Sequence, residues 1–216
     1  MSWSREEAVD RVERLVETVE TDRMPVPVRE VWVFGELALG LDPVERIDVY
    51  LTKEMLLKDE PEAESAFRNS HGIEGVGKTV RTAWAEEHPE YLRAGTGGYA
   101  APAKCLGAHL LEPGEPIHLE VCNASFEDNV TQRVEGGMAR GEYEEILDPR
   151  GVCLWLEGRR SPTAFETLRS GEYVFPTLPD ALGMLGLDPE EAREAADGVK
   201  RFREHASGSS IRGDVL

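Results

Sequence analysis

A chain of 216 residues is long enough to bury a core of its own, as one domain or as one domain with a smaller appendage. Its formal net charge is -18, from 42 Asp and Glu against 24 Lys and Arg. Such a field repels nucleic acid and anionic membrane, so neither is expected as a direct partner. The acids run from Glu6 to Asp214 and only five of the basic residues are lysine. That balance is expected of a surface kept hydrated in concentrated salt, where the Debye length falls to about 3 Å at 1 M.

The opening residues lack the basic and apolar regions of a signal peptide, and no apolar run reaches the length of a membrane span, so a cytoplasmic protein is expected. Ser4 followed by Glu6 and Glu7 has the spacing of a helix N-cap. Ala8, Val9, Val12, Leu15, Val16 and Val19 then recur at helical period, predicting a helix to about residue 21. Met24-Pro-Val-Pro breaks it. Residues 28–34 read as a largely buried strand ending at Gly35, followed by a short turn or helix over 36–40 and a second strand over 46–52. From residue 53 to about 114 the pattern is helical but interrupted, strongest over 79–93 and 102–111.

Residues 115–123 alternate, with Ile117, Leu119 and Val121 on one face and His118, Glu120 and Cys122 on the other, which is a third strand. The pattern over 130–147 is weak and helical in part. Residues 152–156 make a fourth strand, and residues 162–168 a short helix presenting Phe165 and Leu168. Asp188-Pro-Glu-Glu opens a last helix, to about His205, with proline at its first position and acids at its positive end. The fold class is therefore α/β or α+β, a mixed sheet of about four strands with flanking helices. Residues 1–150 form the core, 151–206 an extension packed on it with the terminal helix, and 207–216 a disordered tail. No segment between the halves resembles a linker, which favours one mixed domain.

Val31-Trp-Val-Phe-Gly-Glu-Leu-Ala-Leu-Gly40, followed by Arg46-Ile-Asp-Val-Tyr-Leu51, resembles the opening of the minimal nucleotidyltransferase family. In that family a strand ends in a Gly-Ser turn, runs through Ala-Arg-Gly, and leads to a strand bearing two aspartates one residue apart. A third carboxylate comes from a later strand, for which Glu120 is the candidate. Carboxylates at i and i+2 of a strand share a face and hold divalent metal against a triphosphate, and the small turn lets backbone amides approach the phosphates.

Here Gly35, Ala38 and Gly40 match, but Glu36 stands at the serine position and Leu39 at the arginine. Asp48 is left without a second acid, since Tyr50 or Arg46 takes that place according to register. The resemblance implies a catalytic pair Asp48 and Glu120, a weak metal set of Asp48, His118 and Glu120, and a nucleotide contact at Gly35 and Glu36. An ordinary pair of buried strands accounts for the same residues. The whole chain also resembles uncharacterised haloarchaeal proteins, on its acid-rich, lysine-poor composition and the phrase Met24-Pro-Val-Pro-Val-Arg-Glu-Val-Trp-Val-Phe-Gly35.

Gly72-Ile-Glu-Gly-Val-Gly-Lys-Thr79 satisfies the P-loop pattern, which makes Gly77, Lys78 and Thr79 candidate phosphate contacts. A phosphate cradle needs a buried strand before the loop and a helix after it, and the polar residues 62–71 do not supply the strand. Cys105, Cys122 and Cys153 form no close pair, so they are expected as reduced thiols rather than disulfides or zinc ligands. The histidines are dispersed, and Ser125 and Ser161 lack a base partner. The reading that results is a binding or regulatory protein with a degenerate nucleotidyltransferase-like core, leaning away from an enzyme, with a protein partner allowed for and no cofactor expected. Magnesium and nucleotide enter only under the alternatives, a metal-dependent nucleotidyltransferase or a P-loop nucleotide binder.

Overall fold

The computed structural model describes residues 2–22, 24, 26–54, 61, 62, 65, 73–76, 79–82, 99, 100, 102–204 and 208–213. Helix α1 (Arg5–Thr21) starts where Ser4 predicts, with a full capping box: the Ser4 side chain accepts from the Glu7 amide and Glu7 returns a bond to the Ser4 backbone. Strands β1 (Val28–Phe34) and β2 (Ile47–Lys53) follow. Three short strands come next, β3 (Ile73–Val76), β4 (Thr79–Thr82) and β5 (Tyr99–Ala100), and form a small antiparallel sheet of their own. Then come α2 (Pro102–Leu110), β6 (Ile117–Cys122) and α3 (Phe126–Arg140). The remaining elements are β7 (Val152–Leu156), β8 (Arg159–Arg160), α4 (Pro162–Ser170), α5 (Leu178–Met184), α6 (Pro189–Glu204) and β9 (Ser210–Arg212).

The main sheet is mixed and six-stranded, in the order β8-β7-β1-β2-β6-β9, so the α/β class holds with two more strands than the four expected. β1 runs antiparallel to β2 and β7, whereas β2, β6 and β9 are parallel. Strands from both sides of residue 150 therefore share one sheet. The segment expected to be a disordered tail supplies its edge, because β6 offers Ser210–Arg212 a ladder that a local sequence pattern does not reveal.

Residue alternation gives the sheet two unlike faces. Val31, Val33, Val49, Leu51, Ile117, Leu119 and Val121 form the apolar face, buried under α1, α2 and α4. Each fully buried aliphatic side chain there contributes on the order of 2 kcal/mol of transfer free energy. Glu30, Trp32, Phe34, Asp48, Tyr50, Thr52, His118, Glu120 and Cys122 occupy the opposite face, as the Cα partners Phe34 with Asp48, Trp32 with Tyr50, Asp48 with His118 and Tyr50 with Glu120 require. Part of this face is closed by aromatic packing: Phe126 stacks on Trp32 at 4.8 Å and meets Tyr50 edge-on at 5.3 Å. The rest is polar, and α3, α6 and β9 bring its partners.

Candidate functional site

Asp48 and Glu120, the two carboxylates singled out by the resemblance, lie on one face of neighbouring parallel strands, with His118 between them. Both are buried, at 0% and 1% exposure. A carboxylate withdrawn from water needs compensating charge and hydrogen bonds. Asp48 receives a hydrogen bond of 2.7 Å from Arg203 Nη2 to its Oδ2, and Arg46 Nη2 lies 2.8 Å from Oδ1, a close charge contact without hydrogen-bond alignment. Burial pushes the Asp48 carboxyl above its ordinary range, opposed by Arg203, Arg46 and His118.

Glu120 is held more firmly. Arg133 Nη2 donates to its Oε2 at 2.9 Å, His118 Nε2 is 3.0 Å from its Oε1, and Arg212 Nη1 stands 3.6 Å away. Burial alone would raise this carboxyl, but His118, Arg133 and Arg212 together bring it down to about 2. The other ring nitrogen of His118 is 2.6 Å from Ser210 Oγ, so β9 fixes the imidazole that faces Glu120. Phe202 closes over the same ring at 6.3 Å.

Tyr50 occupies the place where the family pattern would put a second acid. Its hydroxyl donates to the Ala124 carbonyl at 2.8 Å and accepts from Asn129 Nδ2 at 2.8 Å, while Asn129 Oδ1 accepts from Arg133 Nε at 2.9 Å. A hydrogen-bonded chain thus runs from Glu120 through Arg133 and Asn129 to Tyr50 and the start of α3. Burial raises the Tyr50 hydroxyl and keeps it neutral.

Gly35 ends β1 with φ +69°, and a Cβ there would collide with the Arg203 guanidinium and the Asp48 carboxylate. The space above the glycine turn is thus filled by an arginine from the last turn of α6. Glu36 turns the other way, its Oε2 accepting the backbone amides of Glu45 at 2.6 Å and Arg46 at 3.2 Å, where it shapes the loop into β2. In all, two carboxylates are met by Arg46, Arg203, Arg133 and Arg212. A divalent cation entering this layer would face four guanidinium groups. Among the described residues, no group of three or more His, Cys, Asp or Glu side chains is arranged to hold a metal ion.

Of the P-loop candidates, Gly77 and Lys78 lie outside the described residues. Thr79 opens β4, which pairs antiparallel with β3 from Val76 opposite Thr79. The helix expected over 79–93 therefore does not begin at Thr79. The flanking backbone is that of a strand hairpin, not the strand, loop and helix of a phosphate cradle. Ser125 and Ser161 are helix N-caps, accepting from the amides of Asp128 and Ala164.

Arg133, Arg203 and Arg212 are the functional-site residues that sequence reasoning passed over. Their one sequence signal is the arginine bias, and which carboxylate each meets depends on contacts spanning up to 155 residues. Beside Glu120, a cavity of about 260 Å³ opens between α3, residues 141–147 and β9, and three arginines, Arg133, Arg140 and Arg212, line it. No described helix is long and apolar enough to cross a membrane. No curated protein and no solved structure matches the chain. A family model matches residues 4–216, and the chain belongs to that family of unknown function, DUF7095.

Proposed function

We propose that this protein is a non-catalytic binding or regulatory component built on a nucleotidyltransferase-like sheet. The observation that carries the reading is the pairing of both candidate carboxylates with arginine. Asp48 is held by Arg203 and Arg46, and Glu120 by Arg133 and Arg212, so the lone pairs that a phosphoryl-transfer site would offer to metal are engaged by guanidinium groups. Under the same reading it works in the cytoplasm of a salt-adapted, archaeal cell. The net charge of -18, the scarcity of lysine and three cysteines that form no disulfide support that setting. Its partner is a small ligand or another protein rather than nucleic acid.

A second reading, a metal-dependent nucleotidyltransferase, draws on one feature: Asp48, His118 and Glu120 share a face on adjacent parallel strands. Calorimetric titration with ATP, GTP and CTP, each with magnesium or manganese in molar potassium chloride, separates the two. The binding reading expects no metal-dependent triphosphate heat and no turnover. Metal-dependent binding accompanied by pyrophosphate release overturns it.

A further inference from the structure

Arg212 is partly buried on the edge strand, with its side chain 18% exposed, and its nearest carboxylate oxygens are 3.6 Å away on Glu120 and 3.7 Å away on Glu145. Both distances exceed a normal N–H···O bond. A guanidinium carries five N–H donors and no acceptor, so it can take further acceptors beyond these two loose ion pairs. Its guanidinium carbon stands 6.0 Å from the centre of the Phe202 ring, and the residue lines the cavity beside Glu120.

Arg140 and Gln132 project into the same cavity from the exposed side of α3. Arg133 forms its back wall and is held rigid by Glu120, by Asn129 Oδ1 at 2.9 Å and by the Glu145 carbonyl at 3.3 Å. Three of the 24 basic residues of an acidic chain therefore converge on one half-open space.

We propose that this cavity binds a phosphate group, with Arg212 and Arg140 as its direct donors and Arg133 as a preorganised wall. The inference rests on the binding reading above and names its ligand class. At about 260 Å³ the space falls just below the roughly 300–1,000 Å³ of pockets that enclose drug-sized ligands, so it fits inorganic phosphate or the phosphate end of a monoester, not an entire triphosphate. Guanidinium groups suit such an oxyanion because their planar forks donate in pairs. Two acids stand at the rim, Glu142 and Glu145, both exposed. Glu145 is 66% exposed and only loosely paired to Arg212, so its carboxylate holds the place of the ligand's oxygens and can turn out to water when phosphate arrives.

The full-length protein is titrated in molar potassium chloride, without divalent metal, with inorganic phosphate, ribose 5-phosphate and adenosine monophosphate. Heat and melting temperature are the two readouts. Metal-free binding is expected, and it weakens at least tenfold in Arg140→Gln, a surface change that leaves the buried ion pairs intact. Glu145→Gln is expected to bind severalfold more tightly. A monoester that binds more tightly than inorganic phosphate identifies the ligand as a phosphorylated metabolite; the reverse order identifies free phosphate. Binding that Arg140→Gln leaves unchanged, or no binding by any of the three compounds in a protein that melts cooperatively, overturns the site. In that event the non-catalytic reading stands or falls separately on the metal-dependent triphosphate titration.

Discussion

At Glu120 three partners meet from three elements, a hydrogen bond with His118 on β6 and the guanidinium groups of Arg133 on α3 and Arg212 on β9, and together they hold the carboxyl at about 2. Because the folded value lies below the ordinary 4.5, the unfolded chain takes up this proton first as pH falls. The stabilisation is complete above pH 4.5 and is lost between there and about pH 2. It amounts to roughly 3 kcal/mol, at about 1.4 kcal/mol per pH unit of difference. Glu120→Gln is therefore expected to cost about 3 kcal/mol at neutral pH, and the gap between the two proteins should close on acidification. Denaturant unfolding of both at pH 7 and pH 3 checks it: a gap of constant size would rule out this role for the carboxylate. At this scale alternation put His118 and Glu120 on one strand face, and the resemblance to nucleotidyltransferases joined Asp48 to them. Neither revealed the arginines that engage them, because no local pattern connects Arg203 to Asp48 or Arg212 to Glu120.

Among elements, those with a strong local signal were readable from the chain. Helix α1 has its capping box and apolar stripe, β7 its apolar run, and α6 its proline and first-turn acids, and all three stand within a residue or two of expectation. Ser4→Ala, which removes the cap, is expected to lower stability by about 1 kcal/mol, read as a shift in denaturant midpoint with unchanged slope. An unchanged midpoint would mean that α1 is held by packing alone. α3 was only half visible, because its buried stripe is thin, Phe126, Val130 and Val134, and Gly136 and Gly137 interrupt it. Short elements are harder still. β8, β9 and α5 have two, three and seven residues, too few to establish a period, and each is decided by what it packs against. In the strand Thr-Val-Arg-Thr, β-branched residues outweighed the helix formers that follow, which is why the helix expected at Thr79 gave way to β4.

For the whole molecule, composition bears on the surface charge and topology on how the two halves are joined. Dispersed acids on a chain of net charge -18 repel one another in dilute buffer and are screened near molar salt. The melting temperature is expected to climb steeply from low to molar potassium chloride, and a flat series would refute salt adaptation. The buried ion pairs belong to a different regime, since charges shielded from solvent are screened far less than surface ones. They should persist across the same series, with Glu120→Gln costing about as much in high salt as in low. A sheet whose strands come from both sides of residue 150 also explains why no linker composition was found: the second half contributes β7, β8 and β9 to the sheet of the first.

Arg203 follows Asp48 by 155 residues, and Ser210 follows His118 by 92. Translation at roughly 5–20 residues per second places about 8–30 seconds between the appearance of that aspartate and the arginine that receives it. During this interval Asp48 has Arg46 for company but not Arg203, and the apolar face is still gaining β6 and the helices that cover it. The early strands can collapse against α1, but the last side of the molecule can close only after α6 has left the ribosome.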